Sequence, residues 1–441
     1  AGDYNKYTNW TASYIIELLR AYEENPEAFG DDYRIPESDN GIPDVVDEAL
    51  WGLAWLVKMQ NEDGSLLSVM GLSHASPPSD AKGPSYYGDP NTSATLSGAA
   101  AFAYSAKVLR KLGRDELNDY AEELVGRAVR AWNWAEKNPK VLFYNNSPQD
   151  RTQGLAAGQQ EVDDYGRLVK KLAAACYLYE TTGDTRFREY FDSNYAKTHL
   201  LEWTFAYPFE QEVQDVLLYY MTVPDATSSV VDKIRSTYQT AMEGDENTKH
   251  NFFAIRGEED PYRAYLKDYT WGSNGVKARQ GTMFYSLISY GIEPTDEARH
   301  AAERYIHYLH GVNPLGMVYL SNMYAYGAER AVNEFYHSWF TDGSTRWDRV
   351  GVSTYGPAPG FLTGGPYPSY DWDGCCPSRC GSSSNNSKCF AEPISPPKGQ
   401  PPQKSYKDFN TGWPLNSWSV TENSCGYQSV YIRLLSKFVR R

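Results

Sequence analysis

Two carboxylates near opposite ends of the chain sit where acid–base chemistry is available. Asp3 lies in Ala1-Gly2-Asp3-Tyr4-Asn5-Lys6-Tyr7, and Glu422 in Trp418-Ser419-Val420-Thr421-Glu422-Asn423-Ser424-Cys425-Gly426-Tyr427-Gln428. A carboxyl group set among aromatic rings has its pKa raised by desolvation, as a general acid requires. The plainer alternatives are a turn or cap role for Asp3 and a helix-leading carboxylate at Glu422, favoured there by the helix dipole. A third cluster, Tyr324-Ala325-Tyr326-Gly327 followed by Asn333-Glu334-Phe335-Tyr336-His337-Ser338-Trp339, puts a histidine in a polar, aromatic loop. His300, His307 and His310 share one helical stretch and read as a solvated or packed face. No H-E-x-x-H, G-x-S-x-G or P-loop pattern supports other chemistries.

The elements that must position these residues are helices. Residues 43–59 place Val46, Ala49, Leu50, Leu53, Leu56 and Val57 on one face, with Pro43 suited to the first turn. Further helices are expected at 8–24, 94–112, 116–136, 163–182, 210–221, 226–242, 277–290, 295–310 and 427–439, with Gly113 and Gly183 as C-terminal stops. Convincing alternating strands are scarce, no Rossmann-type alternation is present, and no fixed repeat marks a solenoid. Roughly ten helices joined by uneven loops suggest an α-helical toroid. Two long irregular stretches, 61–92 and 312–425, hold most of the Gly, Pro and aromatic residues, and loops of that length inside a compact protein are usually functional.

Composition narrows the partners. A net charge of −14 leaves no basic stripe to replace phosphate counterions or to meet anionic lipid. No stretch of about 18 apolar residues is available to span a bilayer, and no signal peptide is visible, as expected of a mature or trimmed chain. Aromatic residues are 15% of the chain, and many fall in loops such as Tyr86-Tyr87-Gly88 and Tyr367-Pro368-Ser369-Tyr370. Rings so placed either pack the loops or stack on flat apolar faces, which sugars possess. Four of six cysteines, Cys375, Cys376, Cys380 and Cys389, crowd a Gly/Ser/Asn-rich loop. One or two disulfides and an oxidising compartment are expected, with a zinc site as the alternative. Cys176 and Cys425 read as buried thiols.

Taken together the clusters form a pattern. Ala1-Gly2-Asp3-Tyr4-x-Lys6-Tyr7 resembles the end of the D-A-G-D-x-x-K-[FY] motif of glycoside hydrolase family 9. Glu422-Asn423-Ser424-x3-Gln428-Ser429 is similar to that family's E-x-[STA]-x3-[NQ]-[STA] signature. Ile35-Pro36-Glu37-Ser38-x-Asn40-Gly41-Ile42-Pro43-Asp44, Asp89-Pro90-Asn91-Thr92-Ser93-Ala94-Thr95, Trp271-Gly272-Ser273-Asn274 and Gly311-Val312-Asn313-Pro314-Leu315-Gly316 match in the same order. The resemblance covers residues 1–441 as one catalytic domain and is strongest to the branch that carries an immunoglobulin-like domain before the barrel.

That resemblance implies an all-α (α/α)6 barrel whose long irregular loops form an open cleft. It implies a secreted or cell-surface, monomeric, inverting endo-β-1,4-glucanase acting on cellulose or related β-glucans. Asp3 would be the base that activates water and Glu422 the acid that protonates the leaving oxygen, at a carboxyl separation of roughly 6.5–9.5 Å. Substrate contacts would come from His337, Tyr427, Trp339, His74 and Trp271. No catalytic cofactor is implied, but a structural calcium is, with Glu161, Asp163 and Asp164 the nearest acidic stretch. A zinc site known in this branch would lie before Ala1. Three departures stand out: the motif's leading Asp and the first barrel helix would both precede Ala1, and the usual H-x-R reads His337-Ser338-Trp339. Exo-acting removal of glucose or glucosamine, and a carbohydrate-binding protein without catalysis, are the alternatives.

Overall fold

Two kinds of helix alternate along the chain. The computed structural model describes residues 5–71, 84–257, 260–336 and 344–440. Numbered in chain order, α1 (Thr8–Glu24), α3 (Thr92–Lys111), α5 (Asp164–Thr182), α8 (Gln211–Tyr220), α11 (Ser273–Ser289) and α15 (Cys425–Ser436) are the heavily buried kind. Each packs on the next, and α15 packs back on α1, so the six close a ring. Small residues permit this. In α11 a side chain in place of Gly281 would meet Leu434 of α15 at 2.5 Å, and in α3 one in place of Gly98 would meet Leu66 of the 59–91 connection at 2.3 Å.

The second kind lies outside the ring. These helices are α2 (Asp44–Lys58), α4 (Asp115–Lys137), α6 (Thr185–Asn194), α9 (Ser228–Glu243) and α12 (Thr295–Leu309), each packed on the inner helix it follows. In α4, Leu117, Ala121, Leu124, Ala128, Ala131 and Ala135 form one buried stripe and the opposite face is exposed, the pattern of a helix with one side on a core. Because an outer helix returns the chain each time, all inner helices start at the same end. Side chains confirm this: Asn9 of α1 meets Ser93 of α3 at 3.1 Å, and Tyr427 of α15 lies on Gly275 of α11. The expected (α/α)6 barrel is therefore the observed fold.

The two ends of the ring differ. Inner-to-outer connections are short, apart from 25–43. Outer-to-inner connections carry the long stretches 59–91, 138–163, 195–210, 244–272 and 310–424. Within them lie the minor helices α7 (His199–Trp203), α10 (Asn251–Arg256), α13 (Ser383–Lys388) and α14 (Trp418–Thr421). A small antiparallel sheet joins β1 (Lys6–Tyr7), β2 (Val69–Gly71) and β3 (Tyr86–Tyr87), and a parallel pair joins β4 (Val318–Ser321) to β5 (Ala331–Val332). The sheet pins the start of α1, whose first turn is also held by Thr8 N–H on the Ser68 carbonyl at 3.0 Å and Thr8 Oγ1 on the Leu67 carbonyl at 2.6 Å.

At the opposite end, buried charges lock the ring. The Arg433 guanidinium of α15 donates to Glu17 at 3.2 Å and Glu24 at 2.7 Å of α1, and to Asp215 of α8. Lys437 adds a second cation on Glu24. Burial opposes ionisation of Glu24, but the Arg433 and Lys437 charges outweigh it and hold its pKa well below the usual range. For Glu17 burial wins over Arg433, Asp215 adds to it, and the pKa rises.

The cysteine-rich loop holds two disulfides, Cys375–Cys380 and Cys376–Cys389, which flank α13 and consume the sulfurs a zinc site would need. Cys176 is buried as expected, but Cys425 is exposed, because it opens α15 on the loop side of the ring.

Candidate active site

Glu422 sits on the long-loop end, between α14 and α15, with its backbone extended at φ −59°, ψ 136°. Both flanking residues are anchored. Thr421 Oγ1 donates to the Phe409 carbonyl at 2.7 Å and accepts from the Tyr336 N–H at 3.1 Å. Asn423 pairs antiparallel with Thr363. Gly364 and Gly365 let this strand approach: a Cβ at 364 would lie 2.8 Å from the Val420 carbonyl oxygen, and Gly365 adopts φ +104° against Asn274. The same strand is tied to the start of α11, since Asn274 N–H donates to the Gly364 carbonyl at 2.9 Å and Ser273 Oγ to the Pro366 carbonyl at 2.7 Å.

Ser424 and Gln428, which follow Glu422 in the motif, each have a structural task. Ser424 caps α15 by accepting the Tyr427 N–H at 3.0 Å, satisfying one of the helix's orphan donors. Gln428 accepts from the Leu362 N–H and donates to the Gly360 carbonyl, both at 3.0 Å. The cap presents the Tyr427 ring to Gly272 and Gly275, where added Cβ atoms would lie 2.5 and 2.7 Å from it; Gly272 has φ +83°, which also favours glycine. Burial raises the Tyr427 pKa, the Glu422 charge adds to the rise, and Arg279 opposes it, so the phenol stays protonated beside the carboxylate. Trp271, next to Gly272, is exposed on the same end. Glu422, Tyr427 and Trp271 are therefore brought together.

Asp3, His74, His337 and Trp339 lie outside the described residues. Their neighbours are fixed nonetheless. Four residues beyond Asp3, Tyr7 accepts the Gly158 N–H at 2.7 Å and meets Trp10 at a tilt, 4.0 Å between ring centroids. Tyr336, just before His337, meets Trp418 edge-on at 5.6 Å.

Glu161, Asp163 and Asp164 do not converge on a point. Glu161 accepts from Asn91 Nδ2 at 2.6 Å, Phe143 N–H at 2.8 Å and Ser93 Oγ at 3.1 Å, so protein donors occupy both oxygens. Asp163 caps α5 through the Gly166 N–H at 2.7 Å, and Asp164 is exposed beside Lys140 at 2.9 Å. Among the described residues the carboxylates that do gather are Asp31, Asp44 and Asp47 at the opposite end.

Residues 1–435 match the family described as glycosyl hydrolase family 9. The chain belongs to glycosyl hydrolase family 9. It is 25% identical over 472 residues to a cellulose 1,4-β-cellobiosidase of Acetivibrio thermocellus, covering 96% of this chain and 47% of that protein. It is 27% identical over 379 residues to a xyloglucan-specific endo-β-1,4-glucanase of Bacteroides ovatus, covering 83% and 60%. The chain thus spans about half the length of the curated relatives it matches. The structure of AaCel9A in complex with a cellobiose-like isofagomine superimposes with a TM-score of 0.74 at 22% identity, over 99% of this chain and 74% of that one, and so shares the fold.

Two features of this family 9 barrel escaped sequence reasoning. Asp408 accepts the Asn333 N–H at 2.9 Å and the Tyr406 hydroxyl at 3.0 Å, and Tyr406 reaches Thr363 Oγ1 at 3.2 Å. It therefore braces both strands that flank Glu422. Burial pushes its pKa up to about 7; the Asn333 and Tyr406 hydrogen bonds and Arg330 pull it down, and Glu334 adds to the rise. The second is a groove of about 550 Å3 across the starts of α5, α8 and α11, lined by Tyr165, Phe209, Glu210, Glu212, Val276 and Arg279. Arg279 of its lining is the cation that acts on Tyr427, so the groove lies on the same end as Tyr427. Neither shows in local sequence, since each joins segments far apart in the chain.

Proposed function

We propose that the chain hydrolyses β-1,4-glucosidic bonds of cellulose or a related β-glucan by single displacement, with Asp3 as base and Glu422 as acid. The observation that carries this reading is the distribution of exposed rings. Tyr86, Tyr87, Tyr144, Trp203, Phe209, Trp271, Tyr324, Tyr326, Tyr355 and Trp413 all lie in the outer-to-inner loops that surround Glu422, and Trp10 lies in the first turn of α1. Tyr33 and Trp51 are the exceptions among the exposed Trp and Tyr rings of the described residues, and Tyr370 packs inward instead. A ring-rich loop surface on the end that holds Glu422 suits a neutral polymer of flat-faced sugars. In this reading Glu422 gives its proton to the departing oxygen, Tyr427 stands by as a neutral hydrogen-bond donor, and Asp3 deprotonates the attacking water. The two disulfides support secretion, because such bonds persist in oxidising compartments. Hydrolysis of cello-oligosaccharides, followed for product length and anomeric form, tests the proposal; intact oligosaccharide after prolonged incubation would refute it.

The structural cation expected from the family resemblance has its alternative place at Asp31, Asp44 and Asp47, whose ligand oxygens gather within 4.8 Å although Asp31 and Asp47 also accept from protein donors. Asp44 Oδ2 accepts from the Tyr33 N–H and Ser38 Oγ, while Oδ1 is buried with no hydrogen-bond partner among the described residues. Burial raises the Asp47 pKa, Asn40 opposes the rise, and the Asp31 and Asp44 charges add to it. A hard divalent ion with oxygen ligands would relieve that repulsion. Calcium at a hundredfold excess over its dissociation constant would add about 2.7 kcal/mol to stability. Thermal melting with calcium and with chelator should therefore differ by a few degrees, and Asp44→Asn should remove the difference. Identical melting of the parent chain in both conditions would sink the idea.

A further inference from the structure

The four cysteines of the 375–389 loop lie closer together than two separate disulfides require. Cys380 Sγ and Cys389 Sγ belong to different disulfides, yet they are 3.8 Å apart. The sulfurs of Cys375, Cys376 and Cys380 lie within 4.8 Å of one another. Four sulfurs held at about 2.3 Å around a tetrahedral zinc ion are about 3.8 Å apart, so the cluster already has nearly that size. Cys376, Cys380 and Cys389 are buried, with Trp372 packed against them. The backbone that carries the sulfurs is held by bonds other than the disulfides. Arg379 N–H donates to the Cys375 carbonyl at 2.7 Å, Cys380 N–H to Asn386 Oδ1 at 2.7 Å, and Asn385 Nδ2 to the Cys380 carbonyl at 3.1 Å. Breaking both S–S bonds therefore leaves four thiols gathered in one place.

We propose that the reduced loop binds one zinc ion through Cys375, Cys376, Cys380 and Cys389, so that metal and disulfides are alternative ways of closing it. With both disulfides intact no sulfur is free, and the oxidised loop takes no metal. Two equivalents of a phosphine and two waters convert the disulfides to four thiols and two phosphine oxides. Zinc then displaces the four thiol protons, and soft thiolates select it over the hard ions that suit carboxylates. The bound cluster is left with two negative charges. Arg379 and Lys388, next in sequence to Cys380 and Cys389, offset them. The loop is also tied to the segment that leads to Glu422. Asp373 N–H donates to the Pro414 carbonyl at 2.7 Å, the Tyr370 hydroxyl to the Leu415 carbonyl at 2.6 Å, and Thr411 Oγ1 to Glu392 at 2.6 Å. Zinc thus keeps that segment in place under reducing conditions, before the disulfides form.

The test reduces the full chain with a phosphine, removes the reagent without air, and titrates with cobalt(II), which takes zinc's tetrahedral geometry and absorbs visibly when thiolate-bound. One cobalt per chain should bind with thiolate absorption and be displaced by one zinc, and the oxidised chain should show none of this absorption. Cys380→Ser should weaken cobalt binding by about 100-fold or more, since changes outside the ligand set already cost 10–100-fold. Cys425→Ser, which alters a thiol outside the loop, should leave binding intact. Circular dichroism follows the fold throughout. If the reduced chain loses helix without metal, zinc added before the reductant should preserve it. Loss of helix in zinc as well, a folded reduced chain without thiolate absorption, or unchanged cobalt affinity in Cys380→Ser would each overturn the proposal.

Discussion

On the proposed reading, Glu422→Gln should lower turnover of cello-oligosaccharides by about 10³-fold while leaving their binding nearly intact, within the 10²–10⁴ that a positioned general acid supplies. Glutamine keeps the shape and can still hydrogen-bond, but it has no proton to give at the leaving oxygen. The surrounding frame should change little, since Thr421, Asn423, Ser424 and Gln428 each anchor it as well. The loss should depend on the leaving group. An activated aryl cellobioside departs without protonation, so its hydrolysis by Glu422→Gln should fall far less than that of the natural glycoside. Equal losses on the two substrates would contradict an acid role, and wild-type turnover in the variant would remove Glu422 from the chemistry.

The largest effect on stability is expected at Arg433. Arg433→Met leaves Glu17, Glu24 and Asp215 in the ring interior without the cation they share, and breaking a buried ion pair in this way costs about 3–5 kcal/mol. Adding Glu17→Gln, Glu24→Gln and Asp215→Asn should recover part of the loss, because the orphaned charges cause it. The pH dependence has a definite sign. In the parent chain Glu24 has a depressed pKa and contributes stability that is lost as pH falls below the ordinary glutamate range. In the variant Glu17, whose pKa burial already raises, loses the cation that opposes the rise, so its penalty is full at neutral pH and relieved by acid. The gap between parent and variant in urea unfolding should therefore narrow on acidification. A gap that is small at neutral pH, or that widens in acid, would show that the network does not hold the ring.

Much of the barrel is legible in the sequence where helices have one wet face. The stretch 8–24 coincides with α1, and 43–59, 116–136 and 295–310 fall within a residue or two of α2, α4 and α12, because the apolar stripe is clear and Pro43, Gly113 and Pro294 mark the starts of the last three. Legibility fails where a helix is buried on all sides. α11 starts at Ser273 rather than 277, since Ser-Asn-Gly reads as a turn until Gly275 is seen to make room for Tyr427. α6 is too short to show its pattern, having only Phe187 and Phe191 buried. The proposed acid site is legible because its residues form one contiguous signature, whereas Asp408, the groove and the Arg433 cluster unite residues far apart in the chain, up to 416 positions in the last. Calcium was expected at Glu161 for a related reason: a run of acids is visible in sequence, but the loop that returns Asp31 to Asp44 and Asp47 is not.

The most direct measurement is the anomeric form of the first product. In proton NMR of cellopentaose hydrolysis, single displacement with Glu422 as acid releases the α-anomer first, and the β-anomer grows in only by mutarotation. Prompt appearance of the β-anomer would indicate a covalent intermediate and contradict the roles assigned to Asp3 and Glu422.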